Sequence, residues 1–223
     1  MAQVHAGLAR HGNAYFSMEQ TAGKGQRGKS WDTGKGENIT LSVVLKPASL
    51  LLSDQFLLSL SVALACYDLI HRYAGEETAI KWPNDIYWRD RKAGGILIEN
   101  VVKGIDWQYA IVGIGLNVNQ TQFQENIKNP VSLKQITGKT LNIIELAKEL
   151  CNDLQYRFDA LLNNHQPLLD LYNSRLYKRN QSVTLKQKNM VFRTVIKGVS
   201  SQGRLMAQNS MEQEFEWGEV EWI

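Results

Sequence analysis

Cysteine is scarce in this chain: its 223 residues hold two, Cys66 and Cys151. Each stands in an apolar, helix-like stretch far from the other. That argues against a disulfide framework and reads as two buried thiols in a reducing compartment. Neither has a local base beside it, so no catalytic thiol is expected. The four histidines, His5, His11, His71 and His165, have no metal-ligand spacing and no cysteine near them. They read as structural or surface residues, with no protein-built metal cage. The sequence reads as lacking an apolar run of about 18 residues, which argues against a transmembrane helix. Met1-Ala2-Gln3-Val4-His5 is no signal peptide, so the expected location is cytoplasmic. Charge of one sign is lacking too. A net charge of +3 is too small to argue for nucleic acid by itself, so local clusters must decide.

What is present is ordinary for a globular protein. With 43% of residues hydrophobic, a chain of this length can bury roughly 70–75% of its unfolded surface. One large domain, or one large and one small, is expected. Residues 2–10 read as the end of a short helix and 14–20 as a strand. Residues 38–46 alternate and are β-branched, hence a strand ended by Pro47. Residues 53–73 carry apolar side chains at helical spacing and predict a largely buried helix. Strands follow at 78–82, 85–89 and 107–118, with 85–102 forming a hairpin. Residues 120–140 read as loop, and 143–162 and 166–176 as helices. From Tyr177 the texture becomes short alternating runs between turn residues, a small all-β module. The order is not the βαβ alternation of a doubly wound fold. The expected class is α+β, with a mixed, largely antiparallel sheet flanked by helices and a small C-terminal β-barrel.

Three clusters carry chemistry. Residues 21–37 hold five glycines and the cations Lys24, Arg27, Lys29 and Lys35. Bare backbone lets N–H groups approach an anion and the cations neutralise it. A loop this poor in apolar side chains is expected to be mobile when empty and ordered by a ligand. Gly23 to Ser30 also spells G-x-x-x-x-G-K-S, the P-loop pattern. A P-loop needs a helix opening at its Lys-Ser. Trp31 to Asn38 has two glycines and no apolar stripe, which argues against a nucleotide hydrolase of that type. The second cluster is Lys81-Trp82-Pro83-Asn84-Asp85-Ile86, a tight polar turn that brings Lys81 and Asp85 near each other. Lys92 follows at the hairpin turn, then Gly94-Gly95, where a ligand could lie on bare backbone. The third is Ile111 to Asn119, whose Gly113 and Gly115 suggest close approach of a ligand or of backbone. It lacks the third glycine and the helix of a dinucleotide fingerprint. A surface loop, a surface Lys–Asp turn and packing glycines are the plain alternatives.

Together and in this order, the clusters resemble the biotin–protein ligases. That family's loop, Gly-Arg-Gly-Arg-x-Gly-Arg-x-Trp, is matched by Gly23 to Trp31. Its Lys-Trp-Pro-Asn-Asp, followed by Lys and Gly-Ile-Leu-x-Glu, is matched by Lys81 to Asp85, Lys92 and Gly95 to Glu99. Its Gly-x-Asn is matched by Gly115-Leu116-Asn117. The resemblance covers most of residues 14–120, and 177–223 fits the family's SH3-like domain more loosely. Two departures stand out. The family's Asp-Ser-Thr-Asn stretch, which helps bind the biotin ureido group, is missing, and Gln26 stands where Arg is common. The resemblance divides the chain into a catalytic region, 1–176, read as N-terminally incomplete, and a small β-domain, 177–223.

The resemblance implies formation of biotinyl-AMP from biotin and ATP, with Mg²⁺ carried by ATP, then transfer to a lysine of a biotin-accepting carrier domain. Lys92, with Lys81 and Asp85, would be catalytic. Lys92 would hold carboxylate and phosphate oxygens, and Asp85 would order the site or help the incoming amine lose its proton. Gln20 would contact biotin, and Lys24, Gly25, Gln26 and Arg27 would fold over the adenylate. Trp31 would close one side, Asn84 would order the site, Gly95 would allow close approach, and Asn117 would contact the adenylate. No DNA or membrane partner is implied, no winged-helix domain is seen, and a homodimer stays open. A lipoate–protein ligase lacks its Arg-Arg-x-x-Gly-Gly signature here. A nucleic-acid-binding module would need an extended basic stripe interleaved with aromatics.

Overall fold

The structure is a computed structural model. It describes every residue except 29, 32, 48, 125–127 and 164–166, and the side chains of all of these but Ala2, His5 and Arg27. Lys29 and His165 therefore lie outside the described residues, as does the side chain of Arg27.

The chain runs α1 (Ala2–His5), β1 (Ala14–Phe16), β2 (Ile39–Leu45), α2 (Gln55–Ala74), β3 (Thr78–Lys81), β4 (Asp85–Trp88), β5 (Arg91–Lys103) and β6 (Asp106–Leu116). Then come α3 (Leu133–Thr137), α4 (Ile143–Leu162) and α5 (Leu168–Ser174). Last are β7 (Ser182–Gln187), β8 (Met190–Val199), β9 (Leu205–Gln208), β10 (Glu212–Phe215) and β11 (Glu221–Trp222). Six strands form one sheet in the order β1-β2-β6-β5-β4-β3. Five form a second in the order β10-β9-β8-β7-β11. Every strand ladder is antiparallel. Parallel pairing is confined to isolated bridges such as Ile80 with Leu176.

The period of two in β6 decides which face is which. Ala110, Val112, Ile114 and Leu116 alternate with Ile111, Gly113 and Gly115. The first set enters the core beneath α2 and α4, beside Ile39, Leu41 and Val43 of β2. The second set, with Thr40 and Ser42 of β2, faces the other way. One face is thus a continuous apolar surface, each fully buried side chain contributing about 1.5–3 kcal/mol. The other is stripped of bulk, and that bare face becomes a cleft.

No glycine or proline interrupts α2, and it ends where Gly75 adopts φ 76 and its N–H returns to the His71 carbonyl at 2.8 Å. With the preceding turn, Leu52–Ala74 is long and apolar enough to cross a membrane by length and composition, which corrects the expectation of no such segment. Here it is the core helix: Leu58, Leu60, Leu64, Leu69 and Ile70 are fully buried. Asn142 caps α4 by accepting from Ile144 and Glu145 N–H. Ion pairs tie α2 to α4, Arg72 to Glu149 and Asp153 and Arg157 to Asp68. The region 120–140, expected to be loop, contains α3, closed at one end by a Ser132–Gln135 capping box and at the other by Gly138 in the left-handed region. β1 is shorter than expected, because Ser17 turns its hydroxyl onto the Glu19 carbonyl just after it. Cys66 is buried and Cys151 only half-buried, so the reading of two buried thiols holds for one.

The C-terminal β-unit is a five-stranded sheet; among the described residues no ladder joins its edge strands β10 and β11. Its buried Leu185, Ile196, Val199 and Leu205 belong to the same apolar cluster as α2. Trp82 Nε1 donates to the Gly203 carbonyl at 2.9 Å. A side chain at Gly203 would strike the Phe56 ring. Asn173 both donates to and accepts from the Val199 backbone. The second sheet is thereby fixed across the end of the first.

Candidate active site

The bare face of the first sheet, the glycine-rich loop and the inner edge of the second sheet enclose a cleft of about 1740 Å³. Lys92 stands on its floor through a bulge. Asp85 is opposite Gly95 and Ile86 opposite Gly94, but Tyr87 is opposite Lys92. The skipped residue reverses the alternation. Lys92, three residues from Gly95, therefore shares a face with it and with Asp85. Its Nζ donates to Asp85 Oδ1 at 2.6 Å, and both side chains are about a quarter exposed, 26% and 22%. Gly95 leaves room for this: a Cβ there would sit 3.4 Å from both charged atoms. The Lys92 backbone is also held, its N–H by the Asn129 carbonyl and its carbonyl by Val131 N–H and the Asn117 amide.

The turn brings Lys81 and Asp85 together as cross-strand neighbours, but the simple Lys81–Asp85 ion pair is not what forms. The carboxylate is taken by Lys92. Lys81 instead donates to the Tyr87 hydroxyl at 3.1 Å. Its ammonium lies 4.5, 5.1 and 5.6 Å from the ring centres of Tyr87, Trp222 and Tyr177. Burial lowers Lys81 to about 8; Asp85 opposes the fall, and Lys128 and Lys92 add to it. Burial likewise pushes Tyr87 up, so its hydroxyl stays protonated.

The glycine-rich loop closes on itself. Trp31 N–H reaches the Gly23 carbonyl at 2.9 Å, Lys24 bridges Ser30, and Gln26–Gly28 form one 3-10 turn. No α-helix opens after Gly28 among the described residues, which removes the structural premise of a P-loop. The Trp31 indole lies on Gly115, where any Cβ would overlap the ring. Gly115 has ordinary strand backbone, so close approach is what requires glycine there. Gly94 is bare for packing instead, facing Leu116 and the Gly115 carbonyl. Trp31 also sits 5.8 Å, ring centre to Nζ, from Lys92.

Asn84 and Gln26 both donate to the Ile96 carbonyl, at 2.7 and 3.4 Å. Asn117 is buried, its amide spent on the Lys92 and Val131 carbonyls, so it braces the lysine. Gln20 and Lys24 are exposed on the rim, and Gly25 lines it. The sequence-predicted Gln20, Lys24, Gly25, Gln26, Trp31, Lys81, Asn84, Asp85, Lys92, Gly95 and Asn117 all line this one cleft. Tyr87, Tyr177, Trp222 and Lys128 line it too, and sequence reasoning missed them. They come from elements far apart in the chain and form no motif.

The profile of the biotin/lipoate A/B protein ligase family matches residues 6–117, half of the chain. The chain belongs to that family. Among biotin/lipoate ligase relatives, the bifunctional ligase/repressor BirA of Bacillus subtilis is 29% identical over 207 residues, covering 91% of this chain and 63% of that protein. The biotin–[acetyl-CoA-carboxylase] ligase of Paracoccus denitrificans is 28% identical over 199 residues, 86% of this chain and 82% of its own. A biotin protein ligase from Aquifex aeolicus, solved in complex with biotin and ATP, matches with a TM-score of 0.80 at 25% identity, over 96% of this chain and 89% of that one. The chain spans 62–63% of the length of the Bacillus BirA relatives it matches.

Proposed function

We propose that the chain joins biotin to AMP using ATP and passes the biotinyl group to a lysine of a biotin-accepting carrier domain. The observation that carries this reading is the Lys92–Asp85 pair, fixed on the floor of a glycine-lined cleft beneath Trp31. The likeness to a ligase solved with biotin and ATP supports it.

In the first step a biotin carboxylate oxygen attacks the α-phosphorus, and the bond to the pyrophosphate oxygen breaks. Negative charge grows on the α-phosphate oxygens. A cation already aimed by Asp85, with its backbone clamped, stabilises that charge without reorganising. Mg²⁺ enters with ATP as part of the substrate. Lys24, Gly25, Gln26 and Arg27 fold over the adenylate, Gln20 meets the biotin end, and Trp31, lying on Gly115, closes one side. In the second step a neutral lysine amine attacks the acyl carbon and AMP leaves. Asp85 holds Lys92 in both steps and, in this reading, accepts the proton that the amine loses.

We read residues 1–176 as the catalytic region and 177–223 as a smaller unit that completes the cleft wall. The carrier domain is the protein partner, DNA and membrane are not partners, a homodimer is compatible with the exposed β1 edge, and the two free thiols fit the cytoplasm. The deciding experiment is mass spectrometry of a carrier domain incubated with the chain, ATP and biotin. A gain of one biotin that needs ATP is expected. No gain, or a gain with lipoate in place of biotin, refutes the biotin reading.

A further inference from the structure

Lys92 reaches its place on the cleft floor beyond the point where β6 supports β5. Strand β6 stops at Leu116, opposite Gly94, and Asn117 N–H takes the Ala93 carbonyl at 2.8 Å. No part of β6 is left to pair with Lys92. The segment Asn129-Pro130-Val131 stands in for it. The Asn129 carbonyl accepts from Lys92 N–H at 2.7 Å, and Val131 N–H donates to the Lys92 carbonyl at 2.9 Å, a parallel bridge centred on Pro130. Partly buried backbone groups need such partners, and no regular strand provides them here. Asn129 makes the turn with a left-handed φ of 48°, which asparagine tolerates better than most side chains.

Arg91 holds that segment in place. Adjacent strand residues face opposite ways, so with Lys92 in the cleft Arg91 stands outside it, half-buried and absent from the cleft lining. Pro130 has no N–H, so its carbonyl is its one backbone hydrogen-bonding group. That carbonyl accepts from Arg91 Nε at 3.1 Å and from Nη2 at 2.6 Å. Nη2 also donates to Gln135 Oε1 at 3.3 Å. Gln135 is fixed in turn, its oxygen accepting from Ser132 N–H and its amide donating to the Thr121 carbonyl at 3.1 Å. Among the described residues Arg91 forms no ion pair, so its guanidinium is committed to this segment.

We propose that Arg91 is a positioning residue for Lys92: by tying the Pro130 carbonyl it holds residues 129–131 against β5 and fixes the backbone from which the Lys92 ammonium is aimed. This rests on the ligase reading above. Asp85 sets the head of the lysine side chain, and Arg91 sets its base. A charge stabiliser works by being in place before the charge develops, so a looser base lowers rate more than substrate binding. A planar guanidinium that puts two N–H groups on one carbonyl fixes direction as well as distance, which a single donor does not.

The test compares the full chain with Arg91→Met and Arg91→Lys, reading pyrophosphate release without acceptor over a range of biotin and ATP concentrations. In Arg91→Met kcat should fall about 10–50-fold, with both KM values within about three-fold of the parent. Arg91→Lys keeps one charged donor for the carbonyl and should recover to within about five-fold of the parent. In a Lys92→Ala background Arg91→Met should cost under about two-fold, because no ammonium is left to aim. Hydrogen exchange at the Lys92 and Val131 amides should quicken in Arg91→Met, while Val112 and Ile114 in β6 keep the parental rate. If Arg91→Met does not fold, Pro130→Gly loosens the same segment and should repeat the pattern with a smaller factor. Equal losses with and without Lys92, a loss confined to KM, or unchanged kcat in a folded variant overturns the positioning role while the ligase reading stands. A parent that releases no pyrophosphate sinks the ligase reading and the positioning role with it.

Discussion

Replacing Gly115 with alanine isolates the contact between the sheet and the glycine-rich loop. The added Cβ would overlap the Trp31 indole. Strand β6 cannot retreat, because Gly115 is paired on one side with Thr40 and on the other with Gly95. The indole must leave, and with it the Trp31 N–H bond to Gly23 that closes the loop. A fully buried large side chain is worth about 1.5–3 kcal/mol. Trp31 is half-buried, so its displacement should cost about 1–2 kcal/mol in any state that needs the closed loop. That is about a 5–30-fold loss of affinity for a non-hydrolysable biotinyl-AMP analogue, measured by calorimetry. Global stability should change by less than about 1 kcal/mol, since the core face is untouched and alanine suits a strand better than glycine. Trp31→Ala supplies the control. In that background the Gly115→Ala change should cost under about 0.5 kcal/mol, because the ring nearest to the added Cβ is gone. Equal losses in both backgrounds, or no loss in either, would refute the proposed contact between Trp31 and the sheet.

Lys92→Ala should lower pyrophosphate release in the absence of acceptor by about 10²–10³-fold, as expected for loss of one charge stabiliser; near-parental release would remove Lys92 from the mechanism. Residues 23–31 should be cut by protease in the empty protein and protected by biotin plus ATP, since a loop so poor in apolar side chains is ordered by its ligand. Protection by ATP alone would revive the P-loop reading. Trp82→Phe removes the Nε1 bond to Gly203 and leaves that carbonyl without its donor, so chemical denaturation should show a loss of about 1–3 kcal/mol. The pH dependence of stability should carry the signature of Lys81, faced by Asp85, Asp90, Lys92, Lys128 and the rings of Tyr87, Tyr177 and Trp222. Its folded value is lowered to about 8 from 10.5, so the unfolded chain binds more protons between those values. The penalty for burying the charge is full below about pH 8 and is relieved as pH rises toward 10.5. Lys81→Met should therefore raise the melting temperature below pH 8, with the gain shrinking above it; a pH-independent difference would refute this.

The sequence by itself determined the elements whose pattern is local. The alternation in β2 and β6 fixed their inward faces, and the unbroken apolar spacing of α2 and the Asn142 cap of α4 fixed the long helices. The motifs around Gly23, Lys81 and Gly115 also marked the site without any coordinates, because each is a short run with unusual backbone demands. α3 was legible and overlooked: Ser132, Gln135 and Gly138 carry its start and stop, but five residues give almost no periodicity to read. Tertiary structure alone decided the partners of the charges. Asp85 reaches Lys92 because one bulged residue flips the face of β5, and a bulge is set by two strands together. Lys81 lost its expected partner for the same reason and gained a box built from residues 87, 177 and 222, whose proximity depends on how two sheets dock. Trp31 on Gly115 is a third case: the sequence marked both residues, but only packing brought an exposed loop onto a bare strand. Period and capping act over a few bonds, whereas ion pairs and ring contacts form between surfaces that exist only once the core has closed.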